Sequence, residues 1–408
     1  MTAFSKHVAL GRHTVRVLAV AFMTAGAAGS IGALAVSSTN AAAATSVPRA
    51  RPASLTVKQI ALGARLHHDY QVNGKGAWHA EALSSPDDIT FLGRDIFVTF
   101  QDGVGPQGQA SPDGNLVSTI VEFTLAGREV RQWDVTGKVD GLTANPLTWQ
   151  VIATANEDAN SSLYTIAYFG GTVVHYAYSK SPLPHNGGTD AISVFHGQIL
   201  ISASAPGTVG AAAPQPAYPA VYVVRLNARS KVATVDPLFY DEATARAVNG
   251  PQAGHEVQLA LTDPDSNEVV PAASPEFTGD FLLTSQGDEE QVYDHVTRHG
   301  QRLSVLSLTV SVDDTSWATT PHGAIYVTDN SGDTVDTVTG TFAVGTTYTS
   351  VTPCDENSAP ATCPAPGFPA NYLGTINLKT GVITPVALDG PSLQPQGEIF
   401  LPSPHQAR

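Results

Sequence analysis

The sequence predicts an all-β protein, a β-propeller of six four-stranded blades. Three observations carry the prediction. Apolar runs rich in Val, Ile, Thr and Tyr lie between clusters of Gly, Pro, Asn and Asp, which is the pattern of strands and turns. Long amphipathic helical periodicity is missing, and only "YDEATARAV", 240–248, reads as a short helix. One phrase also restarts six times, as "SPDDITFL", "KVDGLTAN", "GTDAISVF", "DSNEVVPA", "SVDDTSWA" and "QPQGEIFL". A single four-stranded sheet leaves one face bare, whereas six stacked around an axis cover both.

The elements follow in chain order. Lys6, Arg12 and Arg16 precede an uncharged stretch from Val17 to Val36, and the Ala-rich "NAAAATS" comes next. Residues 1–44 therefore read as a secretory signal peptide, and 45–408 as one exported propeller domain. Within each repeat the restart is an entry turn into a first strand. A second apolar run follows, as in "DIFVTF", "QVIATA", "QILISAS", "DFLLTS" and "AIYVTD". Outer hairpins such as "STIVEFTLAGREVRQWDV" complete the blade, several with Gly or Asn at the tip, where positive φ is cheap.

Aligning the restarts puts Asp87, Asp140, Asp190, Asn267, Asp313 and Gln396 in one column, spaced 53, 50, 77, 46 and 83 residues apart. The longer gaps imply insertions, at about 103–117, 205–219, 240–266 and 341–370, and the two longest leave room for a seventh blade. The last repeat has only its first strand before the C-terminus. The N-terminal stretch "TVKQIALGARLHHDYQV" is expected to supply the rest and close the ring. His67 and His68 within it are adjacent on a strand and so face opposite ways, which makes them structural or surface residues. Trp78, Trp133, Trp149 and Trp317 read as blade packing.

Cys354 and Cys363 are the two cysteines of the chain, and export favours a disulfide between them. The formal charge is −15, and removing the leader takes away three cations and no anion, giving −18. Nucleic acid and anionic membrane surfaces are excluded as natural partners, while cations and neutral or basic ligands are favoured. A small molecule or protein at the channel mouth, bound by a monomer, is the expected partner.

"IYVTDNSGDTVDTVTG" and "STIVEFTLAGREVRQWDV" resemble the repeats of NHL-type and gluconolactonase-like propellers, a likeness covering most of 80–400. Those families include secreted lactonases with a divalent metal at the channel mouth, lyases, and binding proteins without catalysis. The resemblance implies the fold and a site at the mouth, and it leaves the activity open.

The column itself is the main chemical candidate. If the repeats are blades, its members ring one mouth, with Asp88, Glu268, Asp314 and Glu398 one or two places further along. Oxygen donors alone suit Ca2+ or another divalent ion. The competing reading is structural, because Asp or Asn ahead of a strand commonly caps the turn. In "LPHNGGTDAIS", His185 and Asn186 precede two glycines and Asp190. His185 or Asp190 is the candidate general base, and Asn186 a candidate rim residue. "TDPDSNE", 262–268, sets Asp263, Asp265 and Asn267 at alternate positions, but lacks the glycine and the helices of an EF-hand. Asn156, Glu157, Asp158, Gln286 and Asp288 lie in loops after second strands and are further rim candidates. "GVGPQG" has no following helix, so no nucleotide cofactor is expected. The sequence holds no Gly-x-Ser-x-Gly, P-loop or His-Glu-x-x-His. Two functions stand. One is an exported propeller that binds a ligand, cation or protein at its channel mouth without catalysis. The other is a metal-dependent, lactonase-like hydrolase.

Overall fold

A computed structural model describes residues 54–204, 217–298, 300–353 and 371–403. The expected leader and both cysteines lie outside the described residues, as do 205–216 and 354–370 of the expected insertions.

The described chain is a six-bladed β-propeller. Blade 1 comprises Pro86–Leu92, Asp95–Phe100, Val117–Thr124 and Glu129–Thr136. Blade 2 comprises Val139–Asn145, Gln150–Ala155, Ser162–Ala167 and Val173–Tyr178. Blade 3 comprises Ile192–Phe195, Gln198–Ser202, Pro219–Asn227 and Val232–Tyr240, and two residue pairs join its outer strand to that of blade 2. Blade 4 comprises Pro264–Val269, Phe281–Ser285, Glu290–Thr297 and Gly300–Ser307. The first strands of successive blades are neighbours all the way around, so the ring closes.

Each gap between blades holds one apolar layer. Ile152, Leu163, Ile192 and Tyr222 fill the gap between blades 2 and 3, for example, and Leu282, Tyr293, Trp317 and Val351 that between 4 and 5. Middle strands are therefore covered on both faces. Asp95–Phe100 is buried at every position, which is why such strands read as continuous apolar runs rather than alternating ones.

Blades 5 and 6 depart from the expected chain order. Blade 5 is Val312–Trp317 followed by Thr347–Val351, Tyr372–Ile376 and Ile383–Pro385. The hairpin between them in sequence, His322–Asp329 and Thr334–Thr341, belongs to blade 6 and pairs with its inner strand Pro395–Pro402. "AIYVTD" is thus the second strand of the next blade, not of its own repeat. Leu55–Leu62 pairs with Thr334–Thr341 as the outer strand of blade 6, and Leu388–Asp389 adds two further pairs. N- and C-terminal segments close one blade as expected, with two internal strands between them. The 83-residue gap is filled by this interlacing, and no seventh blade lies among the described residues.

Insertion 240–266 adds Thr244–Ala247 and Glu256–Gln258 to the outer edge of blade 4. The short helix expected at 240–248 is instead strand. Ala245 and Ala247 alternate with exposed neighbours at period two, and an open sheet edge offers their backbone partners. His67–Gln71 and Trp78–Ala82 form a separate hairpin on blade 1. His68 is buried there and His67 exposed, as their alternation requires. The His68 ring lies 2.8 Å from Glu81, 3.1 Å from the Thr119 hydroxyl and 3.4 Å from Asp134. Trp317 packs in the core, Trp133 against Phe97 and Trp149 against Tyr168 and Phe169, but Trp78 is largely exposed, so packing does not account for all four tryptophans.

Candidate functional site at the channel mouth

Inner strands begin with a shared irregularity. Register shifts across residues 87–88, 140–141, 265–266 and 313–314 set two residues against one, and blade 6 does the same at 396–397. Such a bulge re-aims side chains at a strand end. Hydroxyls on second strands fix it. Thr99, Thr154 and Thr328 accept from the amides of Asp88, Gly141 and Gly397 at 2.8–3.0 Å. Thr154, Ser202 and Thr328 also donate to the carbonyls of Asp190, Asp265 and Asp87, each on the next blade around the ring. A bulky residue at Gly141 is excluded, because an added Cβ would meet the Asp190 carbonyl at 2.4 Å. The entry turns are thereby welded into one collar.

The collar presents Asp87, Asp140, Asp190, Asp265, Asp313 and Gln396 to one cavity of about 810 Å3. Its wall continues along the inner strands to Pro146, Leu147 and Gly197 at their far ends. The blade 4 member of the column is Asp265 and not Asn267. Both bulge registers place it beside Pro264, as Asp87 sits beside Pro86 and Gln396 beside Pro395. Asn267 still lines the cavity two places deeper, with its amide nitrogen on the Ala191 carbonyl at 2.7 Å.

Lys138 enters this mouth, and the sequence reading missed it. Its Nζ lies 3.1 Å from Asp140 Oδ1 and 2.5 Å from Glu157 Oε1. Gln101 Nε2 donates to the same Asp140 oxygen at 2.7 Å. Burial works against the lysine's charge, but Asp140, Glu157 and Asp87 outweigh it and hold its pKa well above the ordinary value. The adjacency of Lys138 to the column in "KVD" was the available signal. Among the remaining loop candidates, Glu157 and Gln286 line the cavity, whereas Asn156, Asp158 and Asp288 do not. Asn156 accepts from the Lys138 amide, and Asp288 holds Thr262 and Ser285.

The carboxyls of the mouth suppress one another's ionisation. Burial, then Glu157, Asp265 and Asp314 against the opposing Lys138, raises Asp87 to about 7. Burial and neighbouring acids push Asp140, Asp190 and Asp313 well above the carboxylate range. Asp140 Oδ2 is buried without a hydrogen-bond partner in the protein. So are Asn267 Oδ1 and Ser193 Oγ, both on the cavity wall.

Asp88 and Asp314 line the cavity too, yet they also act as the structural reading expects. Asp88 accepts from the amides of Ile89 and, across the blade gap, Leu142 at 2.6 and 2.5 Å. Asp314 accepts from Thr315 and, on blade 6, Glu398 at 3.1 and 2.6 Å. Glu268 reaches the Asp314 carboxyl, and burial raises its pKa well above the ordinary value. Glu398 is not on the cavity wall. It is buried against the Ser316 and Ser350 hydroxyls at 2.7 and 3.1 Å, which corrects its place on the rim.

His185 and Asn186 are likewise away from the mouth. The His185 ring is fully buried, with Nδ1 2.7 Å from the Tyr222 hydroxyl and Nε2 2.6 Å from the Gly188 carbonyl. Burial lowers its pKa to about 4, and with both nitrogens engaged it serves the fold rather than proton transfer at the mouth. Asn186 is exposed at φ 61° in the turn. The donor set of the mouth is all oxygen, as a hard cation prefers. Among the described residues, however, no group of three or more His, Cys, Asp or Glu side chains is arranged to hold a metal ion.

No family model matches the sequence, and no curated protein matches it. Among solved structures, the chain is similar to a periplasmic gluconolactonase of Pseudomonas aeruginosa, at 13% identity and TM-score 0.41, covering 81% of this chain and 93% of that one. A functionally unknown protein from Desulfotomaculum acetoxidans is 11% identical at TM-score 0.40, covering 86% and 99%. A chain of a nidogen–laminin complex is 13% identical at TM-score 0.30, covering 57% and 74%.

Proposed function

We propose that this propeller is an exported binding protein whose channel mouth takes a cationic ligand. One observation carries the reading: the five collar aspartates, Asp87, Asp140, Asp190, Asp265 and Asp313, share a single mouth with Glu157 and one lysine, Lys138. Like charges so placed repel, and a bound cation relieves both the repulsion and the raised pKa values. The oxygen donors suit Ca2+ or another divalent ion, which Asp87, Asp140, Asp190, Asp265 and Asp313 would hold. Their spread favours a hydrated ion or an organic cation over a bare one, since a bare Ca2+ needs several oxygens at about 2.3–2.6 Å.

The test is a titration of the mature chain with Ca2+ and with an alkylammonium salt at fixed ionic strength. Either or both should bind saturably and raise the melting temperature. Asp190→Asn and Asp265→Asn should each weaken binding about tenfold, the size expected for one charge-assisted contact. Absence of binding by both cations, or binding indifferent to both substitutions, overturns the reading.

A second reading is a metal-dependent, lactonase-like hydrolase. Asp190 favours it, because a buried carboxyl with a raised pKa suits proton transfer at a mouth open to substrate. A divalent ion, when bound, would polarise the scissile carbonyl. Metal-dependent lactone hydrolysis that disappears in Asp190→Asn would establish this activity, and its absence across a lactone panel would remove it.

A further inference from the structure

Resting on the cation-binding reading, we propose that the ligand is a linear aliphatic polyamine lying along the channel, with ammonium groups at two depths. The wall carries carboxyls in two tiers. The first is the mouth itself. The second is lower on the wall: Glu268, three residues beyond Asp265, meets the carboxyl of Asp314, which follows Asp313 in its bulge but turns down to the Glu398 amide, with Asp88 nearby. Three strand residues containing a bulge span roughly 7–10 Å. That is the span along the strand from Asp265 to Glu268, and ammonium groups joined by short methylene runs cover it, whereas one small cation beside Asp265 does not.

The unpartnered atoms point the same way. Asp140 Oδ2, Asn267 Oδ1 and Ser193 Oγ are on residues more than nine-tenths buried, at three successive depths of the one cavity. Asn267 Oδ1 is a pure acceptor, and Asp140 Oδ2 becomes one when its carboxyl gives up its proton, so each is suited to a donor brought by a cation in the channel. A polyammonium chain offers N–H donors at intervals. Its methylenes would lie against Thr90, Thr143 and Ile399, level with Glu268 on their strands, and against Val194 and Val269 one residue below. Carboxylates already bonded to backbone amides, such as Asp88 and Asp314, retain lone pairs for it.

The experiment is a calorimetric series on the mature chain at fixed ionic strength: butylammonium, diaminobutane, spermidine and spermine, with Ca2+ alongside. Affinity should rise about tenfold with the amine that first reaches the second tier. Glu268→Gln, which keeps the side chain's shape, should remove that increment, so that the polyamines bind no more than about as tightly as butylammonium, while Asp190→Asn weakens every amine. If mono- and polyamines bind alike, if Ca2+ binds and amines do not, or if Glu268→Gln changes nothing, the polyamine assignment falls and cation binding stands. If no cation binds, the underlying reading falls with it. The wild-type series decides the matter even if Glu268→Gln fails to fold.

Discussion

At the residue scale, the mouth turns on Lys138 and the acids around it. Lys138 is the cation that Asp140 and Glu157 contact directly. Lys138→Met should therefore act in two directions at once. The ligand-free protein loses the counter-charge of buried acids, a loss of about 3–5 kcal/mol for a broken buried pair. Added cation should then restore stability more strongly than in the wild type, because nothing competes for those carboxyls. A melting series with and without cation checks both, and weaker cation binding in the variant would place Lys138 on the ligand's side. Much of this site was legible in the sequence. Asp87, Asp140, Asp190, Asp313 and Gln396 were found by repetition alone, and all line the cavity. Asp265 was displaced to Asn267 because "DPDSNE" offers oxygens at alternate positions, and the bulge that selects among them leaves no periodic trace. The proline before Asp87, Asp265 and Gln396 was the cue. His185 misled because sequence proximity to Asp190 says nothing of direction. Its ring turns into the protein to Tyr222 and Gly188.

At the element scale, the blade pattern was readable and the pairing of blades 5 and 6 was not. Every strand that repetition implied in His322–Thr341 exists. Which inner strand it joins is decided by contacts distant in sequence, and a hairpin's own pattern is the same in either blade. The consequence is that Leu55–Leu62 seals the edge of blade 6 rather than decorating it. Leu55 and Val57 are buried with Ile325, Val338 and Phe342. A chain beginning at Gly63 should lose those contacts at about 2–4 kcal/mol for each large side chain and expose Thr334–Thr341 as an open edge. Its melting transition should fall steeply or lose cooperativity, and it should aggregate. Melting equal to that of the chain from residue 45 would contradict this closure.

For the whole molecule, the buried titratable groups set one sign of pH dependence. Asp87 and Asp102 are raised to about 7 and Glu398 to about 8, burial being the first cause in each case. For an acid raised in the folded state, the fold holds more protons than the unfolded chain. Stability therefore falls as pH climbs from the ordinary carboxylate range through those values. His68 is raised from 6.5 to about 9, where Asp134, Asp102 and Glu81 outweigh the burial that opposes its charge. Its contribution is complete below 6.5 and lost as pH rises through about 9. His185, lowered from 6.5 to about 4, acts only as pH falls through that lower range. Above 6.5 every term thus has the same direction, and the melting temperature should decline steadily toward about pH 9. A flat or rising profile would contradict the burial described here.

The most direct measurement is calorimetric titration of the cation-free chain from residue 45 near neutral pH with Ca2+ and with spermidine, in two buffers of different ionisation enthalpy. The account predicts saturable binding by at least one of them, with a heat that depends on the buffer. Carboxyls held protonated at the mouth must release protons as a cation takes their place. Saturable heat with no buffer dependence would mean that the cation sits elsewhere. No saturable heat from either would contradict the claim that this channel mouth is a cation site.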